Sequence, residues 1–279
     1  MSAVPGQPAE PFFLDSAPGR RFCLFHPPCG TARGAVLYIH PFAEEMNRSR
    51  RMAMLQARAL ADLGYGVLQL DLYGCGDSSG DFGDARWAIW KADLAAGAAW
   101  LRRRLDQPLS LWGLRLGALL VLDYAHDMRD PLHSMILWQP VLNGASYLTQ
   151  FLRLRVAGAM LDDGAQTTTS ALRQALQEGE TIEIAGYNLA PAMAEAIDTL
   201  AAPETMAPPC RVDWFEALAA PGAALPAGAL RVSAEWQRRG VDLHLHPLAC
   251  PPFWVTPEIT VSDAWLQATS AAMLEGADA

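Results

Sequence analysis

Short apolar runs alternate with longer segments of helical periodicity along most of the chain, which is typical of a parallel sheet covered by helices. Apolar residues at three- and four-residue spacing predict helices, at 48–63, 84–105, 116–128, 225–239 and 262–274. Apolar runs rich in β-branched and aromatic residues predict strands, at 12–14, 21–25, 34–40, 66–72, 108–112, 134–139, 211–216 and 241–246. We therefore expect an α/β fold with a mainly parallel sheet of eight strands.

The alternation is interrupted between residues 143 and 208, where helical segments and one short β-like run at 181–185 replace it. An insertion at this point would lie at the carboxyl end of the sheet, where open α/β sheets bind their ligands. We expect a core formed by 1–142 and 209–279, and a helical lid or cap at 143–208. Some apolar residues of the insertion either line an acyl pocket or form the core of the lid itself: Phe151, Leu152, Leu154, Val156 and Met160.

Composition narrows the possible partners. The chain of 279 residues is 51% hydrophobic and 18% charged, which suits a packed globular protein. Its net charge of -9 argues against nucleic acid as a partner, because phosphate backbones require positive charge. We expect no membrane span and no secretory signal, since the sequence has neither a long apolar run nor a basic and apolar start. Five scattered cysteines favour reduced thiols in the cytoplasm.

Neither a metal nor a cofactor is expected. The spacing of His244 and His246 puts both rings on one strand face, but no third ligand follows at a spacing that zinc would need. Asp77, Asp81 and Asp84 miss the spacing of a twelve-residue calcium loop. Helix capping and loop turns explain these carboxylates better. Nothing in the pattern indicates a particular oligomeric state.

The segment LSLWGLRLGA at 109–118 carries the most informative motif. A strand that runs through Gly-x-x-x-Gly directly into a helix is the setting of a nucleophile elbow. Gly113 and Gly117 would permit the sharp turn, and the central residue would be held in a strained conformation above the sheet. The nucleophile in Gly-x-Ser-x-Gly is serine, whereas this chain has Arg115. A guanidinium stays protonated and cannot act as a nucleophile.

Two further landmarks precede the elbow in the expected order. His40-Pro41-Phe42, at the end of the third strand, occupies the place of an oxyanion-hole loop. Because proline has no N–H, we expect the amides of Phe42 and Leu116 to be the oxyanion donors. The run DLYGCGDSSG at 71–80 matches an Asp-x-x-Gly-x-Gly-x-Ser loop after the fourth strand. The three landmarks together predict an α/β-hydrolase fold.

The remaining members of a catalytic triad would follow the elbow as an acid and then a histidine. The candidate acid is Glu216, after the seventh strand. The histidine position falls near Pro251 or Pro252, and neither can accept a proton. We interpret His244 and His246 as ordinary strand residues, since a general base must come within hydrogen-bond distance of its nucleophile. The sequence therefore predicts that two of the three triad functions are missing.

Several motifs together resemble the exosortase A system-associated hydrolase 2 family. They are HPFAEEMNRSRR at 40–51, GCGDSSGD at 74–81, WGLRLG at 112–117 and AGYNLAP at 185–191. The resemblance extends along most of the chain. It implies a bacterial α/β-hydrolase-fold protein linked to exopolysaccharide production and surface-protein sorting. It also implies that Arg115 is the family's own residue at the elbow, and it does not establish a hydrolytic activity.

Two hypotheses for the site remain open. In the first, the protein is a non-hydrolytic binding or accessory protein, and Arg115 pairs either with Glu44 or Glu45 or with a small anionic or acyl-containing ligand. In the second, the protein is an enzyme with an unorthodox site. Its nucleophile would be Cys75, activated by a neighbouring cation, or Glu44 or Glu45 would perform acid–base chemistry beside Arg115. Ser78 and Ser79 share the loop of Cys75 without a base nearby in sequence.

Overall fold

A computed structural model describes residues 7–161, 167–200 and 203–277 of the protein. The side chains of residues 159–161 lie outside this description, and with them the predicted pocket role of Met160. Residues 1–6 and 278–279 of the predicted core, and residues 162–166 and 201–202 of the predicted lid, also lie outside it.

The central sheet confirms the predicted α/β-hydrolase architecture. Within the described residues it has eight strands, which are β1 (Glu10–Asp15), β2 (Arg20–His26), β3 (Gly34–Ile39), β4 (Tyr65–Leu70), β5 (Leu109–Leu114), β6 (Ser134–Trp138), β9 (Arg211–Leu218) and β10 (Leu243–Ala249). Their order across the sheet is β1-β2-β4-β3-β5-β6-β9-β10. The pairings β1–β2 and β2–β4 are antiparallel, and the others are parallel. The carboxyl ends of β3, β5, β6 and β9 therefore meet at one edge.

Helices cover both faces of the sheet. They are α1 (Glu44–Asp62), α2 (Trp87–Leu105), α3 (Leu116–Asp127), α4 (Gly144–Leu161), α5 (Thr169–Gln177), α6 (Pro191–Thr199), α7 (Ala227–Arg238) and α8 (Asp263–Ala277). The predicted start of α1 was four residues late, because the backbone turns into the helix at Ala43. The predicted start of α2 was three residues early, since residues 82–84 form a separate 3₁₀ turn. No described helix is long and apolar enough to cross a membrane.

Side-chain alternation along the buried strands divides the core into two clusters, one on each face of the sheet. On β3, Leu37 and Ile39 belong to one cluster, while Val36 and Tyr38 belong to the other. The second cluster is rich in aromatic rings that contact one another, and it includes Trp112, Trp138, Phe215, Phe253 and Trp265. This packing continues into the loop after β10, which therefore has a fixed position beside the sheet.

The segment between β6 and β9 contains α4, α5, α6 and a two-stranded hairpin, β7 (Ile182–Ile184) and β8 (Tyr187–Leu189). The sequence predicted the first of these short strands and missed the second. The hairpin turns through Ala185 and Gly186, both with positive φ. Helix α4 packs against α5, α6 and β7, and β8 packs against the 3₁₀ turn at 82–84. The segment thus has its own small core and also rests on the central domain.

Candidate functional site

The backbone at the end of β5 has the predicted elbow conformation. Arg115 has φ 57° and ψ −119°, between the last residue of β5 and the first residue of α3. A Cβ on Gly117 would lie 2.4 Å from the carbonyl oxygen of His40. A Cβ on Gly113 would lie 2.5 Å from the Cα of Ala118. Both glycines are therefore required for α3 to approach the strands this closely.

The guanidinium of Arg115 contacts one of its two predicted partners. Its Nε lies 3.3 Å from Oε1 of Glu45, and both side chains are about five-sixths buried. The aromatic rings of Tyr147 and Trp254 lie 5.6 and 5.5 Å from the guanidinium carbon. Glu44 does not contact Arg115 and instead lies near Arg48 and the Tyr187 hydroxyl, at 3.6 and 3.3 Å.

Glu45 is placed in the site by the first turn of α1. The residue before that helix, Ala43, has φ 50° and ψ −129°, a conformation much like that of Arg115. The Tyr147 hydroxyl donates to Oε2 of Glu45 at 3.3 Å. Burial raises the pKa of Glu45 above its ordinary value, although Arg115 and Tyr147 act in the opposite direction. Glu45 is therefore a carboxylate whose charge depends closely on Arg115.

Hydrogen bonds of the His40 ring stabilise the loop after β3. Its Nε2 accepts the backbone N–H of Leu72 at 3.2 Å, so its Nδ1–H donates to the carbonyl oxygen of Pro41 at 2.7 Å. Burial lowers the pKa of His40, which keeps the ring neutral. Both ring nitrogens are engaged, so His40 positions the loop and is not available as a general base.

The two proposed oxyanion donors lie on either side of the elbow. Phe42 is almost fully buried, and its ring packs edge-on against Phe82, Trp90 and Phe151. Leu116 is the first residue of α3, where an amide has no acceptor within its own helix. That these two amides bind an oxyanion remains a prediction.

Glu216 lies inside β9, which continues two residues beyond the predicted end of the strand at Glu216. Its Oε1 accepts from Nε2 of Gln139 at 2.8 Å, and its Oε2 accepts from Nε1 of Trp214 at 2.9 Å. Gln139, which has φ 43°, also accepts the N–H of Ala217 at 2.6 Å. Burial raises the pKa of Glu216. Neighbours in the sheet thus fix both carboxylate oxygens.

The expected histidine position is occupied by a loop whose sequence contains no histidine. After β10 ends at Ala249, Pro251 and Pro252 lead into Trp254, whose ring covers Arg115. His244 and His246 are confirmed as strand residues. Their Nε2 atoms contact Asp242 and Asp213, each at 2.9 Å, away from the elbow. No group of described residues could hold a metal ion.

The surroundings of Cys75 do not favour activation of its thiol. The thiol is buried, and its pKa is raised by burial and by the charges of Asp71 and Asp93. A reactive cysteine needs the opposite shift, since the thiolate is the nucleophile. Arg50 lowers the pKa only by a smaller amount.

The serines beside Cys75 fasten the loop to β2. Ser78 accepts the backbone N–H of Phe22 at 2.8 Å and donates to the carbonyl oxygen of Asp71. Ser79 accepts the N–H of Arg20 at 3.0 Å. Ser78 and Ser79 therefore stabilise the glycine-rich loop through these hydrogen bonds, and this structural role accounts for both side chains without a catalytic function.

A cavity of about 340 Å³ opens beside Arg115. Glu44, Glu45 and Arg48 line it from α1, together with Phe42. The inserted segment contributes side chains from α4, namely Tyr147, Gln150, Phe151 and Leu154. Trp254 and Val255 close it from the loop after β10. Tyr147 and Trp254 were not predicted from the sequence as residues of the site. Trp254 lies only two residues after Pro252, near which a catalytic histidine would be expected.

Solved structures with the same architecture belong to the α/β hydrolases. Est1E from Butyrivibrio proteoclasticus with ferulic acid bound has a TM-score of 0.72 and 17% identity, covering 96% of this chain and 100% of its own. A carboxyl esterase from Bacillus coagulans has a TM-score of 0.67 and 14% identity, covering 97% and 99%. A monoglyceride lipase variant from Saccharomyces cerevisiae has a TM-score of 0.65 and 15% identity, covering 99% and 96%.

The family follows from a match over most of the sequence. The model described as serine aminopeptidase, S33, matches residues 30–231, and the chain belongs to this family of α/β hydrolases. No curated protein matches the chain. The family's name refers to a serine, so Arg115 at the elbow is a departure from the catalytic pattern.

Proposed function

We propose that the protein is a non-hydrolytic member of its family that binds a small anionic or acyl-containing ligand at Arg115. The observation that carries this proposal is the guanidinium at the elbow, which is paired with Glu45 and lies over the rings of Tyr147 and Trp254. An arginine in this setting can hold an anion but cannot attack an ester. The fixed carboxylate of Glu216 supports the same conclusion.

The inserted segment, 143–208, serves in this proposal as a lid. Tyr147, Phe151 and Leu154 supply one wall of the cavity from α4. A wall that belongs to a separately packed segment lets a ligand enter without disturbing the sheet. The proposed role as an accessory protein in exosortase and exopolysaccharide systems rests on the motif resemblance alone. Five unpaired cysteines favour a cytoplasmic location for that role.

A second candidate function is acid–base catalysis by Glu45, with Arg115 stabilising an anionic intermediate. The raised pKa of Glu45 favours it, because a general acid or base works best when its pKa lies near the working pH. The contacts of Glu45 argue against it, since Arg115 and Tyr147 already occupy one oxygen each. We therefore rank it below ligand binding.

Arg115→Ser tests whether only the nucleophile is missing. We expect the variant to remain unlabelled by an alkyl fluorophosphonate, because no histidine lies among the described residues that line the cavity. The measurement is intact-protein mass spectrometry of the wild type and the variant, with a serine esterase as the positive control. A stoichiometric adduct on the introduced serine of the variant would reveal a working base, and an adduct on the wild type would contradict the proposed function.

A further inference from the structure

Arg115 has donors that the protein does not use. Within the described residues its Nε donates to Glu45, whereas Nη1 and Nη2 have no hydrogen-bond partner. The side chain lines the cavity and is 16% exposed. The two terminal nitrogens present parallel N–H groups, the arrangement that binds a carboxylate in a bidentate manner.

Several of the other side chains that line the cavity are apolar. Phe42, Phe151, Leu154, Trp254 and Val255 line the same cavity. Pockets of this kind, mostly apolar with a few convergent polar groups, bind ligands that have one polar end and an apolar body. Leu154 and Val255 are also about half exposed, so the apolar lining continues to the mouth of the cavity.

The charges around the cavity favour a monoanion. Arg48 and Arg115 are balanced by Glu44 and Glu45. A phosphate monoester would bring nearly two negative charges to this balanced site, whereas a carboxylate brings one. Glu45 then weakens the binding of a ligand carboxylate, because the two carboxylates compete for the guanidinium of Arg115.

We propose that the ligand is a monocarboxylate with an apolar tail, and that Glu45 is a built-in competitor that its carboxylate displaces from Arg115. This inference rests on the proposed binding function and specifies its ligand. Displacement leaves Glu45 with the Tyr147 hydroxyl as its remaining contact among the described residues. Burial raises the pKa of Glu45 and Arg115 lowers it, so displacement from Arg115 raises that pKa further and favours uptake of a proton.

Proton uptake gives the binding a definite pH dependence. The groups around Glu45 are Arg115 at the start of α3, Tyr147 on α4, and Glu44 and Arg48 on α1. Affinity should rise as the pH falls toward the ordinary titration range of a carboxyl group, because protonation of Glu45 removes the competing charge. It should fall again below about pH 4.5, where the ligand carboxylate is itself protonated, as the ordinary pKa of a carboxyl group implies.

Calorimetric titration with octanoate, and with 1-octanol as the neutral analogue, tests this inference. Glu45→Gln should bind octanoate about tenfold more tightly than the wild type, and Arg115→Met at least about tenfold more weakly, as expected for one charge-assisted contact. Asp62→Asn is the matched control, because it removes the same charge from the far end of the same helix, at an exposed residue that does not line the cavity. It should change the affinity by less than about twofold. Binding of 1-octanol should not respond to any of the three substitutions.

The outcomes separate this inference from the proposed function. Equal binding of octanoate and 1-octanol, unaffected by Arg115→Met, would leave a binding pocket in place and overturn recognition of the carboxylate. Weaker octanoate binding by Glu45→Gln would mean that Glu45 positions Arg115, and competition would be refuted. Failure of both probes to bind also overturns the inference, while fluorophosphonate labelling and ester hydrolysis still decide the proposed function. Thermal unfolding of each variant verifies that the protein is folded.

Discussion

Asp93→Ala should lower the free energy of unfolding by about 3–5 kcal/mol, because it leaves a buried charge without its partner. Arg21 and Asp93 are fully buried, and Nε of Arg21 lies 2.7 Å from Oδ1 of Asp93. The same carboxylate accepts the backbone N–H of Tyr73 at 2.9 Å. It therefore joins β2, α2 and the glycine-rich loop. Denaturant unfolding followed by circular dichroism measures the loss.

Asp127→Ala is the control for this prediction. Asp127 pairs with Lys91 at 2.6 Å, but its side chain is 65% exposed. Lys91 also keeps a second partner, Asp123, at 2.8 Å. Exposed pairs contribute at most about 1 kcal/mol. Equal losses for the two variants would show that burial does not determine the importance of the Arg21–Asp93 pair.

Gly117→Ala should destabilise the protein by about 3 kcal/mol, at the upper end for an added methyl group. The new Cβ would lie 2.4 Å from the carbonyl oxygen of His40 and 2.6 Å from that of Ile39. Both obstacles are backbone atoms, so the start of α3 must move away from the end of β3. The same movement would separate Leu116 from Phe42. A thermal unfolding scan and a calorimetric octanoate titration would detect the two consequences.

Gly158→Ala provides the comparison within the same protein. Gly158 lies in α4, and an added Cβ would meet no atom of the described residues within 4 Å. We expect unchanged or slightly higher stability, since alanine favours a helix over glycine by about 0.5–1 kcal/mol. If both substitutions destabilised the protein equally, helix flexibility rather than the close approach at Gly117 would be responsible.

The elbow could be predicted because its determinants are local. A buried strand, two glycines at fixed spacing and a helix follow one another between residues 109 and 127. The backbone of Arg115 follows from that order alone. The pairing with Glu45 was one of two open alternatives, since the sequence places Glu44 and Glu45 side by side. Only the rotation of α1, fixed by the turn at Ala43, decides between them.

The surroundings of Arg115 could not be predicted in the same way. Tyr147 reaches it from the inserted segment, and Trp254 from the loop after the last strand. Both positions depend on packing between distant parts of the chain, such as the contact of Trp254 with Trp265. The environment of Cys75 depends on the same kind of packing. The burial that raises the pKa of its thiol appears only in three dimensions.

The cavity beside the elbow has no histidine among its described lining residues. In a working elbow the residue at this position attacks the ligand, and here it holds a carboxylate of its own chain. The carboxyl end of the sheet remains a cavity, with apolar side chains and two arginines, Arg48 and Arg115, among its lining residues. The fold supplies the geometry of binding, while the side chains determine whether chemistry follows.

The most direct test is hydrolysis of p-nitrophenyl esters of increasing acyl length by the purified protein, with Arg115→Ala measured beside it. We predict no turnover above the buffer rate for either protein at any chain length, because Arg115 stands at the nucleophile position and no histidine lies among the described residues that line the cavity. Turnover by the wild type that disappears in Arg115→Ala would contradict this account, and it would establish Arg115 as part of an unorthodox catalytic site.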